Sequence, residues 1–138
     1  PVFTSTKTNF KIGRANVLLK GSALTIVACG PIIHQALLVA KKLNAEVIDC
    51  HTIKPLDKTT ILRSVKKTGR LITLEDHQIM GGLGSAITEM LAQNYPVPTT
   101  MLGVQDSFGE SGAPDKLYDK YGLSTRHIVA AAKNLLKK

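Results

Sequence analysis

The stretch that most constrains this chain runs from Arg70 to Ser85, Arg-Leu-Ile-Thr-Leu-Glu-Asp-His-Gln-Ile-Met-Gly-Gly-Leu-Gly-Ser. Leu71 to Leu74 is a short apolar, β-favouring run with no alternation, the pattern of a strand covered on both faces. It ends in three ionisable residues, Glu75, Asp76 and His77, and three glycines within four positions follow. Ser85 to Leu91 then has the period of an amphipathic helix. Strand, charged tip, glycine turn and helix make one half of a parallel strand–helix unit. In such sheets the carboxyl ends of the strands are where ligands and partners meet the domain. The glycines allow either a tight turn or the close approach of another backbone.

The rest of the chain repeats this alternation. Ala15 to Lys20 is a short strand closed at Gly21-Ser22, and so tight a turn excludes a parallel neighbour directly beside it. An antiparallel edge strand fits. Leu24 to Cys29 is the first clearly buried strand, broken at Gly30-Pro31, and Pro31 suits the first turn of a helix. That helix spans about Ile32 to Leu43, with Ile33, Ala36, Leu37, Ala40 and Leu43 on one face. Glu46 to Cys50 is the next core strand, joined to the first by a crossover that is right-handed by default. Asp57 is placed as the N-cap of a helix from Lys58 to Thr68, with Ile61, Leu62 and Val65 inward and Gly69 at its end. Pro96 to Val104 reads as a last strand whose prolines put its start at an edge or outside the ladder. Asp106 to Gly112 is a polar loop. A short helix from Pro114 to Tyr121 stops at Gly122, and Ser124 is expected to cap a final helix with Ile128, Val129, Ala132 and Leu135 inward. Residues 1–10 are polar and aperiodic and read as a linker or extended arm, leaving 11–138 as the domain. The class is α/β with a mainly parallel sheet.

The 138 residues suffice for one domain with a real core. No apolar run could span a bilayer and no signal-peptide pattern is present. Cys29 and Cys50 end apolar runs, the usual place for buried free thiols, and this points to the cytoplasm. The net charge of +8 raises the question of nucleic acid. The lysines, however, are dispersed and mostly close predicted helices, and aromatics are only 4%. A solvated face accounts for them, and no nucleic-acid or membrane partner is expected.

The motifs exclude several chemistries. Gly82-Leu83-Gly84 has half of a dinucleotide fingerprint, with Ile87 where the third glycine belongs, and it follows the wrong strand. No Walker loop and no Gly-x-Ser-x-Gly elbow occurs. His34, His51, His77 and His127 are scattered, without ligand spacing for a metal. The groups around Asp49 to His51 and Glu75 to His77 would meet only if their strand ends were adjacent. A nucleophile through Cys50 or Ser85, with His51 or His77 nearby, is weighed against a capping role for Ser85. Gly82, Gly84 and Ser85 at a helix start could hold an anion on free N–H groups, or simply admit a close partner surface.

Five segments resemble one family. They are Phe10 to Leu18; Gly21 to Gly30; Val47 to Asp57, with its Thr-Ile-Lys-Pro-Leu-Asp; Leu74-Glu75-Asp76-His77 with Gly81-Gly82-Leu83-Gly84; and Phe108-Gly109-Glu110-Ser111-Gly112 followed by Leu117 to Gly122 and Ile128. In this order they resemble the C-terminal domain of transketolase-type thiamine diphosphate enzymes. The resemblance implies a three-layer α/β/α domain with a five-stranded sheet, one strand antiparallel. It further implies a chain that is an isolated third domain or a split small subunit and that lacks a complete active site. Thiamine diphosphate and a divalent metal ion would belong to the complete enzyme and not to this chain. Its partners would be the remaining domains or a separate N-terminal subunit, with homodimer contacts. The Phe-Gly-Glu-Ser-Gly segment and Asp76-His77 lean to transketolase, hence ketol transfer between sugar phosphates in the pentose phosphate pathway. The 2-oxo acid dehydrogenase β subunits and deoxyxylulose-phosphate synthase are the alternatives within the family, and a free-standing anion-binding regulatory module is the alternative outside it. His51, Glu75 and His77 are expected to make inter-domain or subunit contacts, with Gly82, Gly84 and Ser85 as the anion or interface turn.

Overall fold

A computed structural model describes residues 4–137. The first three residues of the arm read at 1–10 lie outside the described residues. Five strands form one sheet: β1 (Asn16–Leu19), β2 (Leu24–Ala28), β3 (Ala45–Asp49), β4 (Leu71–Gln78) and β5 (Thr99–Val104). Five helices accompany them: α1 (Ile33–Leu43), α2 (Lys58–Thr68), α3 (Leu83–Asn94), α4 (Pro114–Lys120) and α5 (Thr125–Leu136). The strand order is β1-β3-β2-β4-β5. β1 pairs antiparallel with β3, while the β2–β3, β2–β4 and β4–β5 pairs are parallel. The expected five-stranded mixed sheet is therefore the observed one.

The central strands read as they do because each is covered twice. All five residues of β2 and all five of β3 are buried. One apolar cluster lies between the sheet and the helices α1 and α5, with Ile26, Ala28, Ile72 and Leu74 from the sheet and Ile33, Ala36, Ile128 and Leu135 from the helices. The other lies towards α2 and α3, with Val27, Ile48 and Leu71 against Ile61, Val65, Leu83 and Ile87. Burying such a side chain stabilises by about 1.5–3 kcal/mol. The helix faces follow the expected period, but α1 buries Val39 with Leu37 only partly covered, and Leu62 of α2 and Val129 of α5 are likewise only partly buried.

Asp57 caps α2 as expected, accepting from the Thr60 N–H at 3.1 Å and the Thr60 hydroxyl at 2.8 Å. Its Oδ2 also accepts from the Ala15 N–H at 2.9 Å, which ties the entry of β1 to the start of α2. Gly69 ends α2 with φ +70°. Ser124 occupies the N-cap position of α5, but its hydroxyl donates to Asp119 at 2.9 Å and meets His127 Nδ1 at 2.9 Å, with no side-chain bond to the helix N–H groups. An adjacent carboxylate attracts the hydroxyl proton more strongly than a neutral acceptor does.

The limits of β1, β2 and β3 differ by one residue from those expected, and those of β5 and β4 by more. β5 begins at Thr99, beyond both prolines. β4 continues through Glu75, Asp76 and His77 to Gln78, so the charged tip is itself strand. The β4–β5 register shifts between Leu74 and Gln78. An irregularity of this kind keeps pairing while re-aiming side chains.

Candidate functional site at the carboxyl edge

The strand order makes β2 the pivot. β3 lies on one side of it and β4 on the other. The chain leaves β2 into α1 on one face of the sheet and leaves β4 into α3 on the opposite face. The crevice between the carboxyl ends of β2 and β4 is thus the switch point of the sheet, where doubly wound folds place ligands.

Glu75 stands in this crevice with 0% exposure. Its Oε2 accepts from the Leu83 N–H at 2.5 Å, and its Oε1 from the Gly84 N–H at 3.3 Å. A strand side chain therefore serves as the anion at the N-terminus of α3, satisfying N–H groups that have no partner within the helix. Gly82 makes room for it, since a Cβ there would collide with the Glu75 carboxylate. Gly84 admits the sheet, as a Cβ would stand 2.6 Å from Thr73 Oγ1 and 2.7 Å from Met101 Cε. Burial pushes the Glu75 carboxyl above its usual range, opposed by the Leu83 and Gly84 N–H groups and by His77.

This changes the roles expected for the turn. Of the groups named for an external anion, the Gly84 N–H is held, together with that of Leu83, by the chain's own carboxylate, and Glu75 is fully buried. Ser85 is not the cap: its hydroxyl donates to the Ile79 carbonyl at 2.9 Å and accepts from the Gly81 N–H at 3.0 Å, closing the glycine turn. The position was legible; the partner was not, because Glu75 is eight residues away and on another element.

His77 is the outward member, its side chain 49% exposed. Its Nδ1 lies 3.4 Å from Glu75 Oε2. On its other side, Nε2 lies 3.7 Å from Cys29 Sγ, just past the end of β2. One donor atom of Cys29, Glu75 and His77 can be chosen so that all three lie within 4.8 Å of one another. Sequence spacing missed this cluster because Cys29 and His77 are 48 residues apart. The pairing of Ala28 with Leu74 is the signal that joins them. Burial, together with the charges of Glu75, Asp76 and Asp49, pushes the Cys29 thiol up to about 11.

The other candidates go elsewhere. Asp49 and His51 end β3, and β2 separates them from Glu75 and His77, so the two groups do not meet. His51 stacks on Phe10 with centroids 4.3 Å apart, and its Nδ1 meets Thr52 Oγ1 at 2.9 Å. Its buried Nε2 has no hydrogen-bond partner among the described residues. With Asp49, Gly30 and the arm residues Thr4, Ser5, Thr8, Asn9 and Phe10 it lines an open groove of about 330 Å³. Cys50 is buried and its thiol, pushed up to about 12 chiefly by burial, donates to the Thr52 carbonyl at 3.4 Å. Neither Cys50 nor Ser85 has the histidine partner a nucleophile needs.

A family model described as "Transketolase, C-terminal domain" matches residues 13–128. The chain belongs to the transketolase C-terminal domain family. It is 45% identical over 128 residues to the 6-deoxy-6-sulfo-D-fructose transketolase subunit of Clostridium sp. (strain MSTE9), covering 89% of this chain and 40% of that protein. It is 38% identical over 134 residues to the 1-deoxy-D-xylulose-5-phosphate synthase of Desulforudis audaxviator (strain MP104C), covering 92% of this chain and 21% of that one. A solved "split gene transketolase, inactive beta4 tetramer" superposes with a TM-score of 0.92 at 42% identity, covering 99% of this chain and 46% of that one. This transketolase-type domain thus spans less than half the length of the relatives it matches. Among the described residues no helix is long and apolar enough to cross a membrane.

Thiamine diphosphate, the cofactor associated with the family, does not fit the crevice. A diphosphate would have to displace the Glu75 carboxylate from the start of α3, against the further negative charge of Asp76 and Asp49.

Proposed function

We propose that this chain is the C-terminal domain of a transketolase assembled from separate subunits. In the assembled enzyme, thiamine diphosphate and its divalent metal ion are held by other segments, and a two-carbon ketol group passes between sugar phosphates. The observation that carries this reading is the superposition on a split-gene transketolase at 42% identity over 99% of this chain. The internal anion at α3 supports it, because it leaves this domain to position and pack instead of binding the diphosphate. The domain works at 11–138, follows an arm at 1–10, and acts in the cytoplasm within a dimeric enzyme of the pentose phosphate type. His51 and His77, at the ends of β3 and β4, contact the neighbouring domains.

The test combines the full-length protein carrying this domain with a thiamine diphosphate-binding transketolase subunit from the same organism. Ketol donors and aldose phosphate acceptors are supplied, sulfonated sugars included. Ketol transfer by the mixture, with none from this chain alone, is the expected result. Turnover by this chain alone would overturn the reading. Condensation of pyruvate with glyceraldehyde phosphate in place of ketol transfer would move the protein to the synthase branch of its relatives.

A further inference from the structure

At the switch point His77 stands with two groups, Cys29 and Glu75, that take no part in docking. Cys29 follows Ala28, which pairs with Leu74, so it stands beside Glu75 across the β2–β4 crevice. Strand alternation places Glu75 and His77, two residues apart, on one face. The result is a thiol, an imidazole and a carboxylate around one point. These three donor types are the ones that bind zinc. A tetrahedral zinc ion with Zn–S about 2.3 Å and Zn–N about 2.1 Å holds sulfur and nitrogen about 3.6 Å apart. The observed Cys29 Sγ to His77 Nε2 separation is 3.7 Å.

The same residues also stand in the order of a nucleophile, a base and an orienting acid. Charge decides between the two readings. Glu75 lies in the cluster itself, and Asp76 and Asp49 stand near the same strand ends, following Glu75 in β4 and ending β3 beside β2. Their negative field opposes a bare thiolate nucleophile and attracts a cation. Although the whole chain carries +8, this edge is locally acidic. The N–H groups of α3 do not exhaust Glu75, since each carboxylate oxygen has two lone pairs.

We propose that Cys29, Glu75 and His77 form a binding site for one divalent cation of the zinc class. Sγ, the imidazole and a carboxylate oxygen are its ligands, and the fourth position is open to solvent beside His77. The ion fastens β2 to β4 at the point where the sheet reverses direction. It leaves one coordination position for water or for a group from a docked neighbour.

The test is titration of the chelator-treated full chain with Co²⁺ under a non-thiol reductant, read by visible and near-ultraviolet absorption. A thiolate-to-cobalt charge-transfer band that saturates at one ion per chain, and that Zn²⁺ abolishes, is expected. Cys29→Ser should remove the band. His77→Ala, a change at a half-exposed position that the fold tolerates, should weaken Co²⁺ binding about tenfold or more. Cys50→Ser should leave the band intact, and circular dichroism confirms that each variant is folded. No band in the wild-type chain, a band that survives Cys29→Ser, or one lost only in Cys50→Ser would each overturn the proposal.

Discussion

Single carboxylates in this domain act in opposite electrostatic senses. Burial alone would raise Asp57, but the Ala15 and Thr60 hydrogen bonds and the nearby Arg14 charge hold it below the usual carboxylate range. Its stabilising contribution is therefore full above its unfolded value of about 4 and is lost as pH falls through the lowered folded value. Glu75 is raised, so its contribution is present below its unfolded value and is lost as pH rises through the folded one. Asp57→Ala should cost about 1–2 kcal/mol near neutrality, as the loss of a helix cap does. In urea unfolding, the gap between wild type and Asp57→Ala should narrow as pH drops below about 4. A gap independent of pH would show that the carboxylate charge is irrelevant to the cap.

At the scale of elements, the junction of β4 and α3 depends on absent side chains. Gly84 lets the first turn of α3 lie against Thr73 of β4 and Met101 of β5. Met101 is flexible, but Thr73 is β-branched and fixed in the sheet. Gly84→Ala should lower stability by about 1–3 kcal/mol through overpacking. Thermal unfolding reads this directly, and an unchanged midpoint would mean that the helix can slide without cost. The sequence exposed this junction well: strand, charged tip, glycines and helix all lie where their order suggested. It could not show that the tip would stay in the ladder, or that Glu75 would fold back onto α3. The first depends on β5, which pairs with β4 from more than twenty residues on, and the second on a contact between two elements eight residues apart. The buried hydroxyls of Thr25, Ser64 and Thr68 were likewise hidden. They hydrogen-bond at 2.7 Å between β2 and α2, and no periodicity encodes a polar contact between two elements.

For the molecule as a whole, surface apolar groups gather at the loops that follow the strands. Phe108, after β5, is fully exposed, and Met80, after β4, is largely so. Phe108 contributes no burial to the folded domain, so Phe108→Ser should leave its unfolding midpoint unchanged. In the proposed assembly the same change should weaken association with the remaining subunit, measured by sedimentation or calorimetry. Association at wild-type strength would remove Phe108 from the docking surface.

The sequence by itself determined the class, the element order and the family. Short apolar runs without alternation, β-branched and closed by glycine or proline, have the pattern of doubly covered strands, and the Thr-Ile-Lys-Pro-Leu-Asp and Glu-Asp-His segments are specific in their spacing. Tertiary structure alone decided which strands are neighbours. By setting β2 between β3 and β4 it parted Asp49 and His51 from Glu75 and His77, and brought Cys29 to them instead. The physical reason is that hydrogen bonding between strands is indifferent to distance along the chain, whereas every pattern legible in a sequence is local.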